Sequence, residues 1–202
     1  MERTAWAMSV AQDLLAELLP RRWDHTQGVA RRARGIADLL PDRATLLESA
    51  AWLHDVGYSP MVAVTGFHPL DGARFLCDVE HADPLLCRLV AHHSCAILEA
   101  SERGLDGQVC AEFPSPPADL AEALTFCDMT TDPEGRQTSV ERRLEEILRR
   151  YDADHVVARS IKRSAPSLIE ATHAVESRLG ALSSEELNPD GADQILIGSL
   201  RF

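Results

Sequence analysis

An all-α helical bundle is the fold class this sequence predicts, and three observations predict it. Apolar residues recur at helical spacing almost from end to end, while the apolar–polar alternation of a half-buried strand is hard to find. Aromatic residues make up only 5% of the chain, so the packing must come from Ala, Leu and Val. The chain of 202 residues is long enough to bury a sizeable core in one domain. We expect about seven to nine helices, in the manner of bundles with short connections.

Each element follows from local pattern. Residues 5–19 form an amphipathic segment that Pro20 is expected to stop. The next runs from Trp23 to Leu40, with Val29, Ala33, Ile36, Ala37 and Leu40 on one face, Arg31, Arg32 and Arg34 elsewhere, and Pro41 at its end. A third, from Asp42 to Val56, carries Leu46, Leu47, Ala50, Ala51 and Leu53, with Gly57 as its C-cap. After a loop with Pro60 and Gly66, "HPLDGARFLCDV" restarts a helix with Pro69 in its first turn. One helix is expected from Pro84 to Glu99. Residues 100–117, with Pro114, Pro116 and Pro117, read as the longest loop. Helices return over 117–129, 137–151 and 153–179, the last interrupted near Pro166, and residues 181–202 read as a tail. Glu145/Arg149 and Glu146/Arg150 are i,i+4 pairs and mark an exposed helix without chemistry of its own.

Charge and cysteine usage exclude several function classes. The net charge of −12 argues against a nucleic-acid surface, which needs a basic footprint. Five cysteines with no CxxC pair argue against a disulfide framework and a thiolate zinc site, and for a reducing cytoplasm. The N-terminal stretch is interrupted by Gln12, Asp13 and Glu17 and does not read as a signal peptide, and no run approaches a membrane span. A small anionic substrate stays possible where metal ions or local arginines meet it, and neither nucleic acid nor membrane is expected; a homodimer stays open.

Within this greasy pattern, polar side chains of one chemical kind stand at helix ends. His25 lies near the start of the second helix, adjacent His54 and Asp55 at the end of the third, His68 at the start of the fourth, His92 and His93 inside the fifth, and Asp128 at the end of "LAEALTFCDMTTDP". His81, His155 and His173 have polar neighbours and read as exposed. A single histidine beside an apolar face is usually a satisfied core residue. Several imidazoles and carboxylates converging in one bundle are costly to bury without a cation, and one or two divalent ions offset that cost. Such sets, lacking thiolate, suit Fe, Mn, Zn or Co.

The ordered segments "RRWDHTQGVARRA", "AAWLHDVG", "FHPLDGARFL", "LVAHHSCA" and "LTFCDMTTDP" resemble the motif series of the HD-domain metal-dependent phosphohydrolases, in particular the dinuclear type found among small bacterial enzymes. The resemblance covers residues 23–136; residues 1–180 would then be an HD-domain helical bundle with extra C-terminal helices over 137–180. It implies that His25, His54 and Asp128 hold one ion, that His68 and His93 hold a second, and that Asp55 bridges them and takes part in catalysis. His92 competes with His93, which is preferred because Ser94 follows it; His92 then becomes a catalytic or substrate contact. Arg22 and Arg136 flank the motifs and are candidate phosphate clamps.

The implied activity is hydrolysis of a small phosphoester or phosphoanhydride, a nucleotide foremost. Two alternatives are a di-iron HD-fold oxygenase acting on a small organic substrate and a non-catalytic nucleotide-binding domain. Lys162, the sole lysine, stands far from the motifs, which disfavours the oxygenase. The loop 100–117 is longer than in the hydrolases it resembles and could wall a different pocket.

Overall fold

The structure is a computed structural model and describes residues 2–186, which are helical with short connections; the rest of the expected tail lies outside the described residues. Helix α1 (Glu2–Leu15) and helix α2 (Pro20–Gly35) both pack on α3 (Ala44–Leu53). α4 (His68–Asp78) packs on α5 (Pro84–His92), and α6 (Ala96–Arg103) and α7 (Asp106–Glu112) follow. α8 (Ala118–Met129) runs against α2 and α3, and α10 (Val156–Glu186) covers α8, α6 and α9 (Val140–Arg150). None of the described helices is long and apolar enough to cross a membrane.

The core is aliphatic, as the composition requires. Leu47, Leu53, Leu70, Leu86, Leu89, Leu120 and Leu124 are fully buried together with a set of alanines that let helices approach closely. A smaller cluster of Met129, Val140, Leu144, Ile147 and Leu168 attaches α9 and α10 to the end of α8. Trp23 and Trp52 stack with ring centroids 5.5 Å apart and join α2 to α3. His25 and His54 each lie two residues beyond one of these rings, so the stack joins the two helices that carry them.

Several expectations about the elements are corrected. Pro20 does not end the first helix; it opens α2 at N1, where its missing N–H costs nothing. The third helix stops at Leu53, and Gly57 is not a left-handed cap. Its role is close approach, because a Cβ there would lie 2.0 Å from the His68 carbonyl oxygen and 2.6 Å from the Gly72 nitrogen. The expected helix from Pro84 to Glu99 breaks at His93–Cys95, where Ser94 and Cys95 adopt φ of 49° and 59°. Most of the expected 100–117 loop is helical, as the end of α6 and all of α7. Pro166 sits inside α10, which continues through it to Glu186, past the expected start of the tail.

Candidate metal centre

The helix ends bring His25, His54, Asp55, His68, His93 and Asp128 to one place. His25 comes from the second turn of α2, His54 and Asp55 from the turn after α3, His68 from the first residue of α4, His93 from the break after α5 and Asp128 from the last turn of α8. All are buried except His68, whose side chain is 13% exposed. They form two groups that could each hold an ion, His25–His54–Asp128 and Asp55–His68–His93, each with its ligand atoms within 4.8 Å of one another.

Asp55 stands between the groups. Its Oδ2 lies 3.4 Å from His54 Nε2 and 4.0 Å from His25 Nε2, while its Oδ1 lies 3.4 Å from His68 Nε2. One carboxylate thus offers one oxygen to each group. Asp128 Oδ1 is 3.0 Å from His25 Nε2, and its Oδ2 accepts a hydrogen bond from the Ser94 hydroxyl. His68 Nε2 and His93 Nε2 are 3.2 Å apart.

The imidazoles are oriented by main chain. His25 Nδ1 is 3.0 Å from the Asp132 carbonyl oxygen, His54 Nδ1 is 2.8 Å from that of Ala51 and His93 Nδ1 is 2.7 Å from that of Val90. A carbonyl only accepts, so each Nδ1 carries a proton and each ring turns Nε2 towards the centre. His54 Nε2 is buried without a hydrogen-bond partner, an arrangement that costs free energy unless an electron-pair acceptor fills it. Together with the carboxylate and imidazole donor set, that orphaned atom fits a divalent cation.

Two glycines and two carboxylates hold the anchors. The turn after α8 is closed by Asp132, whose Oδ1 accepts from the main-chain N–H of Glu134 at 2.9 Å and of Arg136 at 2.8 Å. Gly135, at φ 74°, lets that turn reverse, and Gly28 lets it lie on α2: a Cβ at Gly28 would be 2.5 Å from the Gly135 oxygen. Arg31 and Arg32, read as lying off the packed face, tie α2 to this turn through Gly135 O at 2.9 Å and Thr130 Oγ1 at 3.1 Å. On the other side, Asp71 accepts from the N–H groups of Val64, Thr65 and Gly66, which orders the loop leading to His68.

Electrostatics separates the residues. Burial pushes the Asp55 carboxyl up, but Arg22, His54 and His68 outweigh it and hold Asp55 well below the usual carboxylate range. Burial likewise opposes ionisation of Asp128, yet His25 and His54 hold it down. His54 is buried, which favours the neutral ring, but Asp55 and Asp128 raise its pKa. His68 is lowered well below its ordinary value by burial, with His93 adding to it, and His93 is lowered by burial and by His54.

The other candidates divide. Arg22 donates from Nη1 to Asp55 Oδ2 at 2.7 Å, lies over the Tyr58 ring, which stacks on His68, and lines a cavity of about 100 Å³ at the centre. His92 is not brought to the centre: its Nε2 bonds the Phe113 carbonyl oxygen at 2.6 Å, because the break after it sends His93 inward and leaves His92 facing the Pro114 segment. Arg136 also stays outside, 72% exposed and paired with Asp132 and Glu134. Sequence reasoning missed Arg143 and Arg150, which line the cavity from α9. Of the two expected ion pairs on that helix, Glu146–Arg150 forms at 2.9 Å, while Arg149 bonds the Glu145 main-chain oxygen instead. The signal for Arg143 was available: it lies one and four residues from Leu144 and Ile147, on the packed side of α9.

No curated protein and no solved structure matches the chain significantly. The family model described as HD domain matches residues 22–131, more than half of the chain and the span that carries all six residues of the centre. With its helical fold and its paired histidine–aspartate groups, the chain belongs to the HD domain family.

Proposed function

We propose that the protein is a metal-dependent hydrolase of a small phosphoester or phosphoanhydride, with nucleotides as the foremost substrate class. The observation that carries this reading is the Asp55 carboxylate, with one oxygen facing each of two groups of potential ligands. In the assignment we propose, His25, His54 and Asp128 hold one ion, His68 and His93 the other, and Asp55 spans both. Ions so held would polarise a phosphoryl oxygen and make a water nucleophilic near neutral pH. The chain's own residues then have three tasks.

Asp55, held ionised by Arg22 and the histidines, keeps negative charge between the groups. His68 and His93, held neutral by burial, keep their Nε2 lone pairs unprotonated. Arg22 stands 2.7 Å from Asp55 and reaches the cavity, so its guanidinium can bind a phosphoryl oxygen there. The arginine lining favours an anionic substrate, and Lys162, the lysine weighed for the oxygenase reading, is not among the residues that line this cavity. The test is a panel of phosphoesters and nucleotides with wild type, His54→Ala and Asp55→Ala, each assayed for metal per chain. Full metal content and full activity in both variants would overturn the proposal; oxygen uptake with an organic substrate would do so in favour of the oxygenase.

A further inference from the structure

α9 lies outside the span matched by the family model, yet it supplies two guanidinium groups to the centre. The Arg143 side chain is 6% exposed, and its Nη1 donates to Glu146 Oε2 at 2.6 Å. Its Nε is buried without a partner. An unsatisfied N–H on a buried cation is expensive, and such a group in a cavity wall calls for an acceptor. Arg150 bonds the same carboxylate at 2.9 Å. Glu146 therefore offsets one of two positive charges, and Arg22 adds a third that is matched by Asp55.

Geometry places these cations between two spaces. Arg22, Arg143 and Arg150 line the cavity of about 100 Å³ that contains Asp55, His68, His93 and Asp128, and they also line a neighbouring cavity of about 350 Å³. Leu18, Leu19, Pro20 and Pro133 give the second cavity an apolar wall. The inner space falls below the usual size of a site for an organic ligand, about 300–1,000 Å³, and the outer one falls within it. The inner space suits phosphoryl groups, the outer one the organic part of a substrate.

We propose that Arg143 and Arg150 form a second anion subsite that receives a phosphoryl group adjacent to the one held at the histidine–aspartate centre. The inference rests on the hydrolase reading and narrows it to substrates carrying at least two linked phosphoryl groups, with the remainder lying in the outer cavity. The bland competitor is that Arg143 only braces Glu146 within α9. A bracing role predicts loss of stability without selective loss of anion binding.

Calorimetric titration of the metal-loaded protein with inorganic pyrophosphate and with orthophosphate separates the two. Wild type is expected to bind pyrophosphate more tightly than orthophosphate. Arg150→Gln, at a side chain 31% exposed, should weaken pyrophosphate binding about tenfold or more, the size of a lost charge-assisted hydrogen bond. Orthophosphate affinity and metal per chain should stay as in wild type. Arg143→Lys, which keeps charge but loses the Nε–H, should show the same selectivity. Unchanged pyrophosphate affinity in the folded variants, equal loss of both anions, or a wild type that prefers orthophosphate would each overturn the subsite. Failure to hydrolyse any phosphoester would instead count against the hydrolase reading and leave this binding result to be judged by itself.

Discussion

The two ligand groups differ in ways that their residue types do not reveal. His25, His54 and Asp128 are buried where α2, α3 and α8 meet, the imidazoles of both histidines are pinned at Nδ1 by main-chain carbonyls, and of the three only Asp128 lines the inner cavity. Asp55, His68 and His93 sit at the cavity, and His68 is the one partly exposed member, its ring stacked on Tyr58. The inner group presents one of its three members to that cavity and the outer group all three, so the outer one is the more open, as a site that admits substrate must be. The lesson is that similar donor sets acquire different duties from the depth at which helix ends deliver them.

The largest expected effect comes from the residue the groups share. Asp55→Ala should remove the charge facing both and cut phosphoester hydrolysis by about a thousandfold or more, the worth of several kcal/mol of metal catalysis. Next, His54→Ala and His68→Ala should separate the groups by elemental analysis. Loss of His68 should leave an ion on the inner group, whereas loss of His54 should empty it; equal losses in the two variants would break the distinction.

Backbone substitutions probe the same contrast through packing. Gly57→Ala pushes a methyl into the His68 carbonyl and should disturb the outer group, while Gly28→Ala presses on the Gly135 turn that anchors His25. Each should cost about 1–3 kcal/mol, the usual penalty for overpacking, with Gly57 the costlier because its contact is shorter. Chemical denaturation measures both.

A weaker effect is expected from acid in chelator-treated protein. His68 and His93 have lowered pKa values when folded, so below about pH 6.5 the unfolded chain binds more protons and stability falls with pH. His54 is raised and acts oppositely, stabilising below about pH 6.5 and ceasing to do so as pH rises through its folded value. His68→Ala should therefore flatten the acid-side decline in melting temperature, and His54→Ala should steepen it. The smallest effect is expected for Arg136→Gln: its exposed side chain should leave activity near wild type and stability within about 0.5 kcal/mol.

The helical pattern located the histidines and aspartates at helix ends, each weak evidence alone, and it was their ordered series, resembling the HD-domain motifs, that made the inner group legible. Facing was harder to read. His92 and His93 are adjacent and chemically identical, and what separates them is a break with two left-handed residues that the continuous apolar pattern of Pro84 to Glu99 conceals. Gly57 was noticed for the wrong reason, since a chain pattern signals that glycine is needed but not whether conformation or proximity needs it. Arg143 was hidden by its company: a run of alternating charges is what a solvated helix looks like, and its spacing to Leu144 and Ile147, which puts it on the packed side of α9, is the signal that was passed over.

The break at His93–Cys95 also divides two duties along the chain. His93 takes its position from α5 through the Val90 carbonyl, and Ser94 secures Asp128, before the chain turns away into α6 and α7. None of the six donors comes from the polypeptide between Ala96 and Pro117, yet Ala100, Val109 and Phe113 are buried in the core and Ala96 and Glu99 line the inner cavity. Changes in this stretch therefore act on the room around the centre and not on the identity of its ligands.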